Sequence, residues 1–286
     1  MAEVGGMPIP AETRASSRGV ALLKRVASTL VLLPIFIWIV MAAPIWVFGA
    51  TVVLVAALAQ WEFTGMFQRA GVRVFRLLAL AGGILVTASF ALPISERLAF
   101  TAVLLVALTA LLWPSSGSPR DWHGVVVTVF GIGYVNWLMG YAFWLRDLEA
   151  GEQWVLLLVW VTWLGETAAY MVGSTVGRHR LAPLVSPNKT VEGALAQLVV
   201  SVLAALIARV WFFPALSMPN ALLVGLLLGV IGQVGDLVES ALKRSVGTKD
   251  TGAIMPGHGG ALDRIDSLLF NTPVLFYYAV HVRGAA

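Results

Sequence analysis

Residues 221–242 read ALLVGLLLGVIGQVGDLVESAL: fifteen residues without a charge, then Asp236 and Glu239. At 1.5 Å per residue a helix over this stretch is about 33 Å long, enough to cross the hydrocarbon core of a bilayer. Its end is not apolar. Asp236, Glu239, Ser240 and Lys243 fall at i, i+3, i+4 and i+7, which places them on one continuous stripe. Glu239 with Lys243 makes an ordinary i,i+4 ion pair at a helix end, but that pairing leaves Asp236, deeper toward the lipid, unexplained. The stretch therefore reads as a membrane helix that carries polar chemistry at one end.

Eight more segments have the same character. Together the nine lie near 26–43, 45–61, 75–93, 97–113, 123–144, 154–176, 194–214, 221–242 and 262–282, so the predicted fold class is an all-α polytopic membrane protein with about nine transmembrane helices. Composition agrees. Of 286 residues 59% are hydrophobic and 12% charged, against about 25% charged in soluble domains. There is no cysteine, which excludes disulfide frameworks, thiolate metal sites and cysteine nucleophiles. A net charge of +4, dispersed along the chain, gives no argument for nucleic acid. Residues 1–25 are polar, end in Lys24-Arg25 and lack a small-residue cleavage site after a short apolar core, so a tail preceding a first helix is expected there rather than a cleaved signal.

Lysine and arginine set the expected orientation. With the N-terminus cytoplasmic, fourteen of the nineteen basic residues fall on that side. Arg97, Arg146 and Arg283 fall on the other, and Arg209 and Arg264 lie inside spans. That bias is strongly positive-inside. The halves differ in kind: residues 26–160 read as an N-terminal scaffold half and residues 161–286 as the working half, after the 1–25 tail.

Charges inside lipid cost roughly 2.5–3.5 kcal/mol each at a helix centre, so they commonly mark function. Besides the 236–243 stripe, two stretches break the apolar pattern. The first holds Glu166 within a span, then Arg178-His179-Arg180 and Ser186-Pro187-Asn188-Lys189-Thr190. The latter reads as a loop feeding a helix, with Asn188 or Thr190 as N-cap. Free N–H groups at such a start favour phosphate, and Lys189 adds a positive charge. The plainer reading is a capped cytoplasmic loop. The second runs from Lys249-Asp250-Thr251-Gly252 through His258-Gly259-Gly260 to Asp263, Arg264 and Asp266. His258 alone reads as a loop histidine, whereas the glycines let backbone approach a ligand. Carboxylates without cysteine suit a hard cation such as Mg²⁺, and Lys189, Lys243, Arg244, Lys249 and Arg264 supply charge for phosphates. The combination points to phosphoryl or nucleotidyl transfer on a lipid.

Ser240-Ala241-Leu242-Lys243-Arg244, four residues, Lys249-Asp250-Thr251-Gly252, and Pro256 through Asp266 together closely resemble the signature of the phosphatidate cytidylyltransferases, the CDP-diacylglycerol synthases. Gly177 through Pro183, Ser186 through Gly193, and Trp61-Glu62-Phe63 with Met66 are similar to that family too. The resemblance implies an integral enzyme of the bacterial inner membrane, with its active site facing the cytoplasm. Such an enzyme joins CTP and phosphatidate to give CDP-diacylglycerol and pyrophosphate, with Mg²⁺ and room for a second cation; a homodimer is left open. It implies a metal centre on Asp236 and Asp263 with Asp266 close by, to which Asp250 is added as a candidate ligand. Candidate catalytic groups are Lys189, Lys243, Arg244, Lys249, His258 and Arg264. Substrate contacts are expected from Glu166, Ser186, Asn188, Thr190, Ser240, Gly259 and Gly260. The chain departs from the family at Glu166, where Asp is common, and at Ala196-Gln197, where Gly-Gly is frequent. Two alternatives stand beside this reading: a CTP-dependent lipid-alcohol kinase of the same superfamily, which releases CDP, and a cation-coupled transporter, which releases no pyrophosphate.

Overall fold

The computed structural model describes residues 33–112, 122–252 and 259–284. The 1–25 tail, the start of segment 26–43, Arg120 and His258 lie outside them. A helical stretch over 33–41 (α1) stops before Pro44, whose fixed φ starts α2 (Ile45–Arg69). Then come α3 (Arg76–Ser89) and α4 (Glu96–Thr109), the latter N-capped by Ser95. α5 (Trp122–Gly131) passes through a π-helical turn, Ile132–Trp137, into α6 (Leu138–Asp147). After α7 (Gly151–Val176) the strands β1 (Arg180–Ala182) and β2 (Ser186–Thr190) pair antiparallel, with Arg180 opposite Thr190 and Ala182 opposite Ser186. The chain ends in α8 (Val191–Trp211), α9 (Met218–Ser245) and α10 (Leu262–Gly284).

This is an all-α membrane protein with one small hairpin. Among the described residues, five helical runs are long and apolar enough to cross a bilayer: Ile45–Arg69, Trp122–Asp147, Gly151–Val176, Val191–Trp211 and Met218–Ser245. Their outward faces are apolar, with Trp46, Leu77 and Val210 each more than 70% exposed, as expected where the solvent is lipid. Segment 75–93 forms a 14-residue helix, about 21 Å long, which is short of the ~30 Å hydrocarbon core, and segment 97–113 is helical over 96–112, its last turn 3₁₀. The proposed loop at Ser186–Thr190 is a strand. It pairs with β1, and Glu192 accepts from the backbone N–H of Arg178 and His179, at 3.1 and 3.3 Å, tying the chain ahead of β1 to the start of α8. Of the two N-caps left open, the structure uses Thr190, whose Oγ1 accepts from Gly193 N at 3.1 Å.

α7, α8, α9 and α10 pack in succession, and α10 also lies against α6 and α2. Lipid offers no hydrophobic drive between helices, so small residues and polar contacts hold them. A Cβ at Gly235 would meet the Asp266 carbonyl oxygen at 2.8 Å and the Phe270 side chain at 3.2 Å, so glycine lets α9 and α10 touch at this level. Asn271 of α10 donates to Thr162 of α7 at 2.9 Å, and the Tyr141 and Tyr277 hydroxyls lie 2.8 Å apart.

Candidate active site

The stripe on α9 forms as its spacing predicts. Ser240 Oγ donates to Asp236 Oδ1 at 3.4 Å, and Lys243 Nζ donates to Glu239 Oε2 at 2.6 Å. The close crossing at Gly235 brings α10 alongside, and Asp266 joins the stripe. One oxygen from each of Asp236, Glu239 and Asp266 lies within 4.8 Å of the others. Glu239 and Asp266 are buried, at 1% and 8% exposure. Three carboxylates so placed repel one another, and burial raises the cost further. Two lysines answer part of that charge. Lys189, reaching in from β2, pairs with Asp236 Oδ2 at 2.7 Å, and Lys243 holds Glu239. Glu239 Oε1 is buried without a hydrogen-bond partner among the described residues. An all-oxygen donor set with an orphaned carboxylate oxygen fits a hard divalent cation.

Asp263 takes a different place. Its Oδ1 accepts from Lys243 Nζ at 2.8 Å, while Oδ2 accepts from Thr251 Oγ1 at 2.8 Å and from Gly260 N at 3.1 Å. It is thus tied to the glycine-rich loop while standing beside Glu239, with which it shares Lys243. The same loop is held from α2. Arg69 Nη2 donates to the Thr251 carbonyl at 2.7 Å, and buried Glu62 Oε2 accepts from Leu262 N, the first residue of α10, at 3.0 Å. That carboxylate faces the positive end of the α10 dipole. A Cβ at Gly252 or Gly260 would run into Glu62, at 2.5 and 2.6 Å, so only glycine lets the loop close over it.

The remaining expected residues scatter around this centre. Glu166 of α7 lies beside Ser267 and in electrostatic range of Asp236, Lys189 and Arg264. Strand alternation points Asn188 and Thr190 away from the Lys189 side; Asn188 is exposed, and Thr190 is spent on its cap. Ser186 is half-buried at the hairpin end. Arg244 fastens the hairpin to the end of α9, donating to the Val185 and Thr248 carbonyls at 3.2 Å each. Lys249, Asp250 and Arg264 are exposed, and Gly259 adopts a positive φ of 84°. Sequence reasoning did not place Glu239 with the other acids, having accounted for it by its Lys243 pair. Nor did it assign roles to Glu62 or Arg69, whose partners lie far along the chain.

Comparison with known proteins bears on this arrangement. An Escherichia coli protein, the uncharacterised YnbB, is 42% identical over 155 residues, covering 54% of this chain and 51% of that protein. A phosphatidate cytidylyltransferase of Staphylococcus epidermidis is 39% identical over 147 residues (51% of this chain, 56% of the relative), and one of Staphylococcus aureus 40% identical over 149 with the same shares. The chain therefore spans about half the length of the curated relatives it matches. The family match reaches much further, covering residues 23–282 and thus α1 to α9, all but the last two residues of α10, and all of the site acids, lysines and loop contacts described above. On that extent of agreement, the chain belongs to the cytidylyltransferase family.

Proposed function

We propose that the chain transfers the cytidylyl group of CTP to phosphatidate, giving CDP-diacylglycerol and pyrophosphate. The observation that carries this reading is the buried Asp236–Glu239–Asp266 cluster flanked by Lys189 and Lys243, in a family member whose relatives bear the name phosphatidate cytidylyltransferase. Asp236, Glu239 and Asp266 are the groups that would hold Mg²⁺. When bound, the ion supplies charge neutralisation on the CTP phosphates. Lys189 and Lys243 add fixed positive charge beside it, in a water-poor setting where such charge counts most toward the leaving pyrophosphate. A phosphatidate oxygen attacks the α-phosphorus and the bond to the β-phosphate oxygen breaks. No strong base is required of the protein, because a phosphate monoester is already ionised at neutral pH.

In this reading Asp263, Glu62 and Arg69 shape the glycine loop that lies against the nucleotide, and Arg244 and Lys249 add charge at its mouth. The positive-inside count supports a cytoplasmic N-terminus and a cytoplasmic active site in a bacterial inner membrane. Nine helical segments in the bilayer follow from the nine apolar runs of the sequence, with α3 too short to span it alone. Residues 26–160 then act mainly as scaffold and residues 161–286 as the catalytic half. Incubating purified protein with phosphatidate vesicles, labelled CTP and Mg²⁺ tests the reading. Labelled CDP-diacylglycerol with stoichiometric pyrophosphate is expected. Release of CDP with a phosphorylated lipid alcohol, or no consumption of CTP, would overturn it.

A further inference from the structure

Tyr134 sits in the π-helical turn between α5 and α6, only 6% exposed. Its hydroxyl finds no hydrogen-bond partner among the described residues. The ring is fixed on three sides. It stacks on Phe130 with centroids 5.8 Å apart, tilts against Phe63 of α2 at 6.2 Å, and meets Phe270 of α10 edge-on at 6.3 Å. Phe270 lies one helical turn beyond Asp266. Tyr134 is accordingly in electrostatic range of Glu239, Asp266 and Asp236, with Glu239 the strongest of the three. An unpartnered hydroxyl donor on Tyr134 thus lies within electrostatic range of an unpartnered acceptor, Glu239 Oε1, whose sister oxygen is held by Lys243. Each is costly to leave unpaired. A π turn also sacrifices regular helical hydrogen bonding, and such turns recur where a side chain is aimed at a functional site.

We propose that Tyr134 is a positioning residue for the cation site, donating its hydroxyl to Glu239 Oε1 when Asp236, Glu239 and Asp266 hold a divalent cation. The inference rests on the cation reading of that cluster given above. With Lys243 on one oxygen and Tyr134 on the other, the carboxylate plane is fixed and a lone pair stays directed at the ion. A neutral hydroxyl does this without adding a positive charge that would compete with the ion. Removing a hydrogen-bond partner of a ligand typically weakens metal binding about 10- to 100-fold.

The test is Mn²⁺ binding to the purified full chain in detergent, read by electron paramagnetic resonance without CTP or lipid. Tyr134→Phe keeps the packed ring and should raise the Mn²⁺ Kd about tenfold. Its thermal unfolding temperature should stay unchanged or rise, because it deletes an unpaired buried hydroxyl. Tyr141→Phe, on the same helical run but paired with Tyr277, should bind like wild type. In a Glu239→Gln background the Tyr134 change should add nothing further. In wild type, Mg²⁺ should shift the tyrosine hydrogen-bond marker in ultraviolet resonance Raman spectra, and Glu239→Gln should abolish that shift. Wild-type Mn²⁺ affinity in Tyr134→Phe, or an equal loss in both backgrounds, overturns the inference alone. A wild-type chain that binds no Mn²⁺ overturns the cation reading with it.

Discussion

Glu62 and Leu262 stand 200 residues apart in sequence and 3.0 Å apart in the fold, joined by a hydrogen bond from the Leu262 backbone N–H to Glu62 Oε2. The first half of the chain thus caps the helix that carries Asp263 and Asp266. Glu62→Ala should leave that N–H unsatisfied in a buried setting, at a cost of about 1–3 kcal/mol. A lowered unfolding temperature in detergent is expected, with reduced turnover, and Glu62→Gln should restore part of both because its amide oxygen still accepts. Unchanged stability in the alanine variant would remove the cap from the account.

Asp236→Asn should reduce CTP-dependent turnover ~100-fold or more, the scale seen when a pre-organised charge-stabilising group is lost. It also leaves Lys189 without its 2.7 Å partner. Asp266→Asn should behave alike. Both variants should be assayed at saturating Mg²⁺, and near-wild-type rates in either would detach that acid from the reaction.

Gly260→Ala should be far worse than Gly247→Ala. The added methyl at Gly260 meets Thr251, Glu62 and Asp263 together, whereas at Gly247 it meets nothing within 4 Å and pays only for a φ of +69°. Overpacking costs roughly 1–3 kcal/mol, and a left-handed residue about 1–2. Because Gly260 also donates to Asp263, its alanine variant should lose activity as well as stability, while the Gly247 variant keeps its specific activity. Thermal melts and turnover on the pair decide this.

A single cysteine at exposed Asn188 in this cysteine-free chain should react with an impermeant maleimide only from the cytoplasmic side of sealed cells. Labelling from outside would reverse the orientation.

The stripe of Asp236, Glu239, Ser240 and Lys243 was legible in the sequence because helical periodicity is local: four residues fix their own face. The approach of Asp266 was half legible, since the α10 span was visible but the crossing at Gly235 was not. The hairpin escaped notice because Ser186-Pro187-Asn188-Lys189-Thr190 has neither alternation nor β-branched runs. Its partner strand, Arg180–Ala182, is shorter still and carries no such signal either, and Glu192 of the following helix ties down the chain just ahead of it. Glu62 and Arg69 were unreadable as loop anchors for a different reason. Nothing near them in sequence needs them, and their partners exist only after α2 packs on α10. Segment 75–93 extends past its helix, because hydropathy continues through the turn Phe90 to Pro93, whereas 97–113 matches a helical stretch over 96–112 whose last turn tightens to 3₁₀ at Ala110–Leu112.

One ammonium group serves two masters. Lys243 Nζ lies 2.6 Å from Glu239 and 2.8 Å from Asp263, so the acid cluster and the glycine loop draw on the same positive charge. Anything that changes Glu239's hold on that lysine alters how firmly Asp263 grips Thr251 and Gly260. Linkage then works in both directions: if occupancy at Glu239 changes the equilibrium constant of the Asp263–Thr251–Gly260 contacts by some factor, those contacts change affinity at Glu239 by the same factor. The acid cluster and the Asp263 anchor thus share a single side chain, and Lys243→Met should weaken the hold on both.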